Sequence, residues 1–302
     1  MRILVTGADG FVGRHLVRAA ADAGHEVDAV VQRPLGDGDD LRDHLTGVQV
    51  ADLVDSRPLV ETDAVVHLAG LAAVGPSFAN PQLYISANSA MFTNVAEAAL
   101  EQSPSARIIA VSSGAVYGGE EGLIDETRQV HMTSPYTVAK RLVELQAEYY
   151  ARRELDVIVA RPFNHIGPGQ RPGFLVPDLA AQLLSAGPGE AIHTGDLTTE
   201  RDYSDVRDVV AAYLALCTTP TLGNLAFNVS SGVARSGREV LEALCAGLRI
   251  DVPESVVDPA RVRPNDARSI VGDASRLREA TSWAPARSFA ESVRDFLDEA
   301  EL

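Results

Sequence analysis

The sequence contains very little lysine. Lys140 is the single lysine among the 26 basic residues of a 302-residue chain, and all the others are arginine. Arginine supplies a permanent charge and a planar fork of donors, whereas lysine supplies a compact ammonium on a flexible stem that can approach another group closely. One lysine kept in an arginine-based chain indicates a position where the ammonium itself is needed.

Basic charge and cysteine are also scarce. With 42 acidic residues the net charge is −16, so we expect no broad basic surface for nucleic acid or anionic lipid, and any bound phosphate must be met locally. The acidic runs 37–40 and 298–301 are expected to be solvated. Cys217 and Cys245 have no metal-binding spacing and fall in apolar helical patterns, where a free thiol packs as a small apolar group. We therefore expect no metal site and a reduced, cytoplasmic protein.

Long apolar runs are missing as well. Residues 1–8 form a short apolar run without a cleavage region after it, so they predict a buried first strand and neither a signal peptide nor a membrane span. Similar short runs alternate with helical patterns, which predicts βαβ units and a parallel sheet covered on both faces. The predicted strands are RILVTG, EVDAVV, AVVHLAG, RIIAVSS, DVIVARP and LAFNVSS, and the predicted helices are HLVRAAADAG, AMFTNVAEAALEQ, TVAKRLVELQAEYYARR and VVAAYLALC.

The pattern changes after Arg161. Residues 163–174 and 186–200 are rich in Gly, Pro and Asn, and helices and loops are expected to dominate from there to the end of the chain. A lone strand at 225–229 is expected to return to the sheet.

A glycine-rich turn follows the first predicted strand. Gly7, Gly10 and Gly13 lie between that strand and the opening of a helix. Glycines there allow a tight turn and close backbone approach, so that a pyrophosphate can bind at the helix N-terminus. The position favours dinucleotide binding over an ordinary turn.

A Tyr-x-x-x-Lys pair stands downstream of this turn. Tyr136 and Lys140 lie one helical turn apart on one helix face, and taken alone they could be an ordinary exposed pair. With the glycine turn, the ordered segments AVVHLAG, AVSSGAVYG, YTVAK and RPFN resemble the extended short-chain dehydrogenase/reductase family. The resemblance implies that Ser113, Tyr136 and Lys140 are the catalytic residues. An ammonium beside the tyrosine should lower the pKa of Tyr136, a role that a guanidinium could not easily fill.

Over essentially the whole chain, the resemblance implies an α/β fold with a Rossmann-type doubly wound parallel sheet and a smaller C-terminal substrate-binding domain. The implied NAD(P)-binding domain covers residues 1–165 plus about 203–230, and the implied nucleotide-sugar-binding domain covers 166–202 and 231–302.

The resemblance also implies a set of cofactor-binding residues. Within the segment from His67 to Gly70, His67 has the alternative of being a satisfied core residue, and Asn88 has the alternative of being a simple helix cap. Met91 departs from the family pattern, where a glycine stands. The implied cofactor-binding residues are Gly7, Gly10, Phe11, Val12, Gly13, Arg33, Asp52, Leu53, Leu68, Ala69, Gly70, Asn88, Tyr136 and Lys140.

Four residues are implied to bind the substrate. Asn164 and Val176 match positions that contact a nucleotide sugar, and Arg201 and Arg263 match two arginines that grip its diphosphate. The alternative for both arginines is a surface ion pair, which for Arg201 would be made with Asp205.

Within the family, RPFNHIGPGQ and RPND look most like GDP-4-keto-6-deoxy-D-mannose reductases and their dehydratase relatives. Dehydratases of this group carry an acidic dyad in the segment that here runs from Ser113 to Tyr117. This chain has no carboxylate there for the elimination step, so dehydration is disfavoured. We expect an NAD(P)H-dependent 4-ketoreductase of a nucleotide-linked deoxysugar, with GDP as the favoured nucleotide. The alternatives are a 4-epimerase that retains NAD and a non-catalytic dinucleotide sensor. Many relatives form homodimers through helices that here cover residues 90–102 and 137–152.

The end of the second predicted strand indicates which cofactor is used. NAD-preferring Rossmann proteins carry an acidic residue there, which binds the adenosine ribose and repels the additional phosphate of NADP. This chain has Val31 and Gln32 instead, followed by Arg33, which could meet that phosphate. NADP(H) is therefore favoured and NAD(H) is possible; the alternative is that Arg33 simply points into solvent.

Overall fold

The computed structural model describes residues 1–187, 189–223, 226–262 and 267–299. Within these ranges the largest sheet has seven parallel strands in the order β11-β7-β5-β4-β1-β2-β3. The strand order reverses between β1 and β4, which creates a crevice at the carboxyl ends of these strands. The strands are β1 (Arg2–Thr6), β2 (Glu26–Val31), β3 (Gly47–Val50), β4 (Ala64–His67), β5 (Arg107–Val111), β7 (Asp156–Pro162) and β11 (Ala226–Val229).

Both faces of this sheet are buried under helices. Successive side chains of a strand point to opposite faces, so each strand packs against the helices on both sides. On β1, Ile3 and Val5 pack in one apolar cluster with helices α1 and α6, while Leu4 packs in a second cluster with α3 and α4. The predicted Rossmann-type fold is confirmed. The helices are α1 (Phe11–Asp22), α2 (Val74–Ala79), α3 (Pro81–Gln102), α4 (Pro135–Ala151), α5 (Leu175–Ser185), α6 (Val206–Thr218), α7 (Gly237–Leu248), α8 (Ser275–Thr281) and α9 (Phe289–Glu299).

Helix α3 begins nine residues before the predicted start at position 90. Pro81 occupies its first turn, where the missing backbone N–H costs no hydrogen bond. The added turns contain serine and asparagine, which hide the apolar periodicity. Met91 packs against the second apolar cluster, so its side chain is part of the core beneath the sheet. None of the helices in the described ranges is both long and apolar enough to cross a membrane.

The C-terminal part contains more strand than expected. The sequence predicts a lone returning strand at 225–229; β11 is that strand, but a second sheet runs in the order β12-β10-β14-β6 with β8 paired to β10. These strands are three to six residues long, and the longest reads ERDYSD, so no apolar run reveals them. The remaining strands are β6 (Gly122–Ile124), β8 (Asn164–Ile166), β9 (Ile192–Thr194), β10 (Glu200–Asp205), β12 (Ala234–Ser236), β13 (Ser255–Val257) and β14 (Ser269–Gly272).

Segments from both predicted domains contribute to the second sheet and to the first apolar cluster. Strand β6 pairs with β14 of the second sheet, and Leu277 and Trp283 near the C-terminus pack in the first apolar cluster. These contacts connect residues on the two sides of the predicted domain boundary. The predicted division into two domains stays a prediction.

The two cysteines pack as predicted. Cys217 is buried in the first apolar cluster, Cys245 is buried in the cluster under the C-terminal helices, and both are unpaired. Burial raises the pKa of the Cys217 thiol to about 12, so this thiol stays protonated at neutral pH.

The acidic run at 37–40 is not simply solvated. The Asp39 carboxylate binds Arg14 through two hydrogen bonds of 2.6 and 2.9 Å and accepts the Leu41 N–H, while Asp40 pairs with Arg18 at 2.6 Å. The hydrogen bond from Arg14 is the largest cause that lowers the pKa of Asp39 to about 2. This run therefore fixes a short 3₁₀ helix (residues 40–44) against α1, and the second run extends beyond the described residues.

Candidate active site

The glycine turn between β1 and α1 is a close-packed backbone cradle. Gly7 has φ +69°, and a Cβ on Gly13 would lie 2.2 Å from the Gly7 carbonyl oxygen. Gly10 is the N-cap of α1 and offers no side chain to its first N–H groups, while Val12 packs against the first apolar cluster. A helix N-terminus without a side-chain cap is suited to an anion. The cradle therefore fits the pyrophosphate of a dinucleotide.

The segment after β4 lies beside this cradle. The Leu68 and Ala69 N–H groups donate to the backbone oxygen and the hydroxyl of Thr6, at 3.2 and 3.1 Å. His67 shares a 3.0 Å hydrogen bond with the Thr6 hydroxyl, and burial, with a smaller effect of a nearby ammonium, lowers the pKa of His67 to about 3. His67 is thus a neutral core residue, and the following backbone forms the second wall of the crevice.

Asn88 joins this wall to α3. Its side-chain oxygen accepts the Leu71 N–H at 2.9 Å, and its amide donates to the Tyr84 carbonyl at 2.9 Å. A Cβ on Gly70 would lie 2.6 Å from the same Asn88 oxygen. The helix-cap alternative is wrong, because Asn80 is the N-cap of α3 and Asn88 lies two turns inside the helix.

Helix α4 begins with a capping box that fixes its position. The Ser134 hydroxyl accepts the Thr137 N–H at 3.2 Å, the Thr137 hydroxyl accepts the Ser134 N–H at 3.0 Å, and Pro135 occupies the first turn. Tyr136 and Lys140 therefore point from one helix face toward the ends of the central strands.

Tyr136 is hydrogen-bonded to Ser113, which lies just after β5. Burial, the largest cause, raises the pKa of Tyr136, while the hydrogen bond to Ser113 lowers it and Tyr84 adds a smaller raising effect. The lowered pKa predicted from the neighbouring ammonium is wrong for this arrangement. The phenol remains protonated at neutral pH, which is the state that a proton donor requires.

Lys140 is held away from direct contact with the phenol. Its ammonium donates to the Val111 carbonyl at 2.9 Å and lies 6.0 Å from the centre of the Tyr136 ring. Burial lowers the pKa of Lys140 to about 8, against the raising effect of Glu144. The ammonium is thus anchored to the backbone at the end of β5, and it is charged below about pH 8.

A buried polar network beneath these residues was not predicted from the sequence. The Glu144 carboxylate accepts hydrogen bonds from Ser112 at 2.6 Å and from Arg161 at 2.8 and 2.9 Å. Arg161 also donates to the Tyr117 hydroxyl at 2.8 Å, and that hydroxyl donates to Asn228 at 2.8 Å. The available sequence signal was the spacing of the glutamate, one helical turn after the lysine.

The residues expected near the adenosine lie at the ends of β2 and β3. Arg33 is exposed two residues after β2 ends at Val31, and its guanidinium makes no hydrogen bond or ion pair with the rest of the described chain. Asp52 is exposed and accepts the Val54 N–H at 2.9 Å. Leu53 packs in the second apolar cluster, so it can offer only its backbone to a ligand.

Phe11 connects the cradle to the segment that carries Asn164. Its ring stacks on His165 with centroids 6.0 Å apart and an interplanar angle of 9°. One helical turn later, His15 forms a 2.8 Å hydrogen bond with the Pro168 carbonyl. Asn164 itself is exposed at the start of β8, next to the stacked histidine.

Arg201 does not pair with Asp205, the partner that the sequence left open as an alternative. Its guanidinium donates to the carbonyls of Glu200 and Ala267 at 2.6 and 2.9 Å. Asp205 lies four residues along the same strand, about 13 Å away in an extended chain, and pairs with Arg207 at 2.7 Å.

The remaining two residues predicted to bind the substrate are Val176 and Arg263. Val176 is buried in the C-terminal apolar cluster, so its side chain contributes to packing and not to an open surface. Arg263 lies outside the described residues. In the part of the chain that is described, no group of three or more His, Cys, Asp or Glu side chains could hold a metal ion.

Comparison with known proteins agrees with this geometry. Residues 3–230 match the model of the NAD dependent epimerase/dehydratase family. The chain belongs to this family. The resemblance drawn from the motifs is thereby confirmed, and the protein is an NAD(P)-dependent enzyme of the extended short-chain dehydrogenase/reductase type.

Several known proteins resemble the chain over almost its whole length. It is 35% identical to the GDP-6-deoxy-D-mannose reductase of Pseudomonas aeruginosa, over 99% of this chain and 97% of the relative. The NADPH complex of RMD from P. aeruginosa superposes with a TM-score of 0.81 at 32% identity, covering 99% and 98% of the two chains. The UDP-glucose 4-epimerase of Thermotoga maritima, solved with UDP-glucose, superposes with a TM-score of 0.88 at 28% identity, covering 99% and 98%.

Proposed function

We propose that the protein is an NADPH-dependent 4-ketoreductase of a GDP-linked 4-keto-6-deoxysugar. The observation that carries this proposal is the pairing of a protonated Tyr136 phenol with Ser113, with the Lys140 ammonium anchored one helical turn away. The similarity to the GDP-6-deoxy-D-mannose reductase of P. aeruginosa supports the substrate class.

The proposed chemistry assigns one task to each of the three side chains. The reduced nicotinamide, when bound, supplies the hydride that adds to C4 of the ketosugar. Ser113 holds the C4 oxygen by a hydrogen bond, and Tyr136 transfers its phenolic proton to that oxygen as the alcohol forms. We assign to the Lys140 ammonium the stabilisation of the phenolate once the proton has left, because an opposite charge favours the ionised form. In the resting site, burial outweighs any such effect and keeps the pKa of the phenol raised.

The proposed cofactor preference rests on the carboxyl end of β2. Strand β2 ends at Val31 and is followed by Gln32 and then by Arg33, whose guanidinium is exposed. This strand end offers no acidic residue to repel a 2′-phosphate. The glycine cradle would hold the pyrophosphate, and the backbone of residues 68–70 would line the other side of the crevice. A cytoplasmic location stays a prediction from the sequence.

The proposed nucleotide site involves the exposed Asn164 and the Arg201 guanidinium on neighbouring strands of the second sheet. In a chain of net charge −16, local arginines are required to attract a diphosphate. Thermal midpoints with GDP, UDP, dTDP and CDP sugars test the base, because a ligand that binds the native state raises the midpoint. The largest rise is expected with a GDP sugar, and a larger rise with a UDP sugar would contradict the GDP assignment.

Reduction of GDP-4-keto-6-deoxy-D-mannose, followed through the absorbance of NADPH, tests the reaction. Tyr136→Phe is expected to lower kcat by roughly 10²- to 10⁴-fold, with little change in the Kd of NADPH, because only the proton donor is lost. Tyr150→Phe is the matched control: it removes a hydroxyl of the same helix that, among the described residues, bonds to Glu97 alone, at 3.0 Å. Equal rates for the two variants would refute the catalytic role of Tyr136.

A nucleotide-sugar 4-epimerase is the second candidate function, because the T. maritima epimerase superposes with a TM-score of 0.88. An epimerase retains its cofactor through the cycle, whereas a reductase consumes it. The epimerase predicts NAD released from the purified protein on denaturation, and conversion of UDP-glucose without added cofactor. The reductase predicts neither.

We also propose that the enzyme is a homodimer formed through α3 and α4. These two helices pack together at the protein surface. The outer side of α4 carries an apolar stripe of Val138, Leu142, Leu145 and Tyr149, of which Leu145 is 46% and Tyr149 is 54% exposed. Their spacing of three and four residues forms one continuous helix face, which a second copy of α4 could cover.

A further inference from the structure

Glu144 carries a buried charge that the proposed reaction does not use. Its side chain is only 2% exposed on α4, yet it accepts hydrogen bonds from Ser112, Arg141 and Arg161. Burial alone would raise the pKa of Glu144, but the hydrogen bonds, led by those from Arg161, lower it. A buried carboxylate is costly unless it is fully paired, so this one is kept ionised by dedicated partners.

The spacing of Glu144 extends the active-site face of α4. Positions 136, 140 and 144 lie on one helix face. They contact three consecutive residues at the end of β5: position 136 contacts 113, position 140 contacts 111, and position 144 contacts 112. The Ser112 N–H also donates to the Ala160 carbonyl at 2.8 Å on the neighbouring strand. The Ser112 hydroxyl, and with it the next residue Ser113, is therefore tied to α4 through the Glu144 carboxylate.

The same carboxylate acts on the charge of Lys140. Burial is the main cause that disfavours the ammonium, and Glu144 opposes it. Other groups near the ammonium include the Tyr136 phenol on α4, the Asn88 amide on α3 and His67 on β4, which is neutral at the pH of the reaction. Arg161 on β7 pairs with the same carboxylate at 2.8 Å and balances its charge.

We propose that Glu144, paired with Arg161, is a positioning residue: it fixes Ser113 through Ser112 and places a negative charge one helical turn from the Lys140 ammonium. This inference deepens the proposed function and rests on it for the roles of Ser113 and Lys140. Glu144 acts only through these neighbours and is not required to contact the substrate.

The single lysine permits a direct test without substrate. Protein grown with lysine labelled by ¹³C at Cε, and carrying no lysine in any tag, gives one lysine resonance, and its pH titration reports Lys140 alone. We expect the wild-type midpoint near pH 8. Glu144→Gln should move the midpoint down by about one pH unit, because the negative charge that raises the Lys140 pKa is lost while Arg161 and Arg141 stay charged.

Glu148→Gln is the matched control for this titration. It removes the same charge from the next turn of α4, where Glu148 also bonds to Arg141 but its side chain is 55% exposed. Its midpoint should equal that of the wild type. An unchanged or raised midpoint in Glu144→Gln, or an equal shift in both variants, would overturn the proposal.

Ser112→Ala separates the two parts of the proposal and serves if Glu144→Gln does not fold. It removes one hydroxyl but keeps the Glu144–Arg161 pair, so the lysine midpoint should stay in place while kcat falls about tenfold through the displaced Ser113. Wild-type kcat in this variant would refute the positioning of Ser113. If wild-type protein shows no ketoreductase turnover, the proposed function fails, but the lysine titration still decides how Glu144 acts on Lys140.

Discussion

Replacing Gly13 by alanine adds one methyl group where α1 passes closest to the glycine turn. The new Cβ would lie 2.2 Å from the Gly7 carbonyl oxygen and 2.7 and 2.8 Å from Ala8 backbone atoms. Because ordinary contacts begin at 3.4 Å, backbone must move apart by about 1 Å. Such overpacking costs roughly 1–3 kcal/mol, while the higher helix propensity of alanine returns up to about 1 kcal/mol.

Gly13→Ala is therefore expected to lower the free energy of unfolding by about 1–2 kcal/mol. It should also weaken NADPH binding more than about tenfold, because the N-terminus of α1 is displaced from the position where it would contact the pyrophosphate. Urea unfolding and calorimetric titration with NADPH measure the two effects. Gly75→Ala is the matched control, because a Cβ on this helical glycine of α2 meets no atom within 4 Å. Wild-type NADPH affinity in Gly13→Ala would refute the assignment of the cradle.

Three further predictions concern other parts of the site. Lys140→Arg should lose more than about 99% of kcat, with the pH optimum of any residual activity raised, because a planar guanidinium cannot keep the 2.9 Å contact with Val111 in this buried space; a wild-type pH–rate profile would contradict this. Arg33→Ala should erase most of a preference of roughly tenfold to a hundredfold for NADPH over NADH in kcat/KM, and an unchanged ratio would assign Arg33 to the solvent. Leu145→Glu should convert the proposed dimer into a folded monomer in sedimentation velocity, whereas a wild-type protein that already sediments as a monomer would refute the interface.

Elements with a strong apolar or glycine signal were predictable from the sequence. The apolar strands β1, β2, β4, β5, β7 and β11 were found because each is buried on both faces. Gly7 and Gly13 could be recognised because backbone contacts leave no space for a side chain there. Tyr136 and Lys140 could be paired because one helical turn separates them.

Elements whose stability comes from partners distant in sequence were not predictable. Strand β10 is polar and yet largely buried, since Asp202 accepts hydrogen bonds from Ser231 and Gly232, far along the chain. Glu144 resembles an exposed helix residue until Arg161 on another strand is seen to pair with it. The raised pKa of Tyr136 depends on burial, which the sequence motif does not report.

The position of the single lysine makes the chain an unusual protease substrate. An endoproteinase that cleaves only after lysine has one site, the bond between Lys140 and Arg141, within helix α4 where it packs against α3. Cleavage requires an extended segment, so α4 must unwind and leave the sheet before the bond is accessible. At low protease concentration, the cleavage rate therefore measures the free energy of opening α4, and two defined fragments replace the many products of an ordinary digest. Cofactor that binds across α4 and the glycine cradle would slow this cut in proportion to its occupancy, which gives a ligand assay without any chromophore.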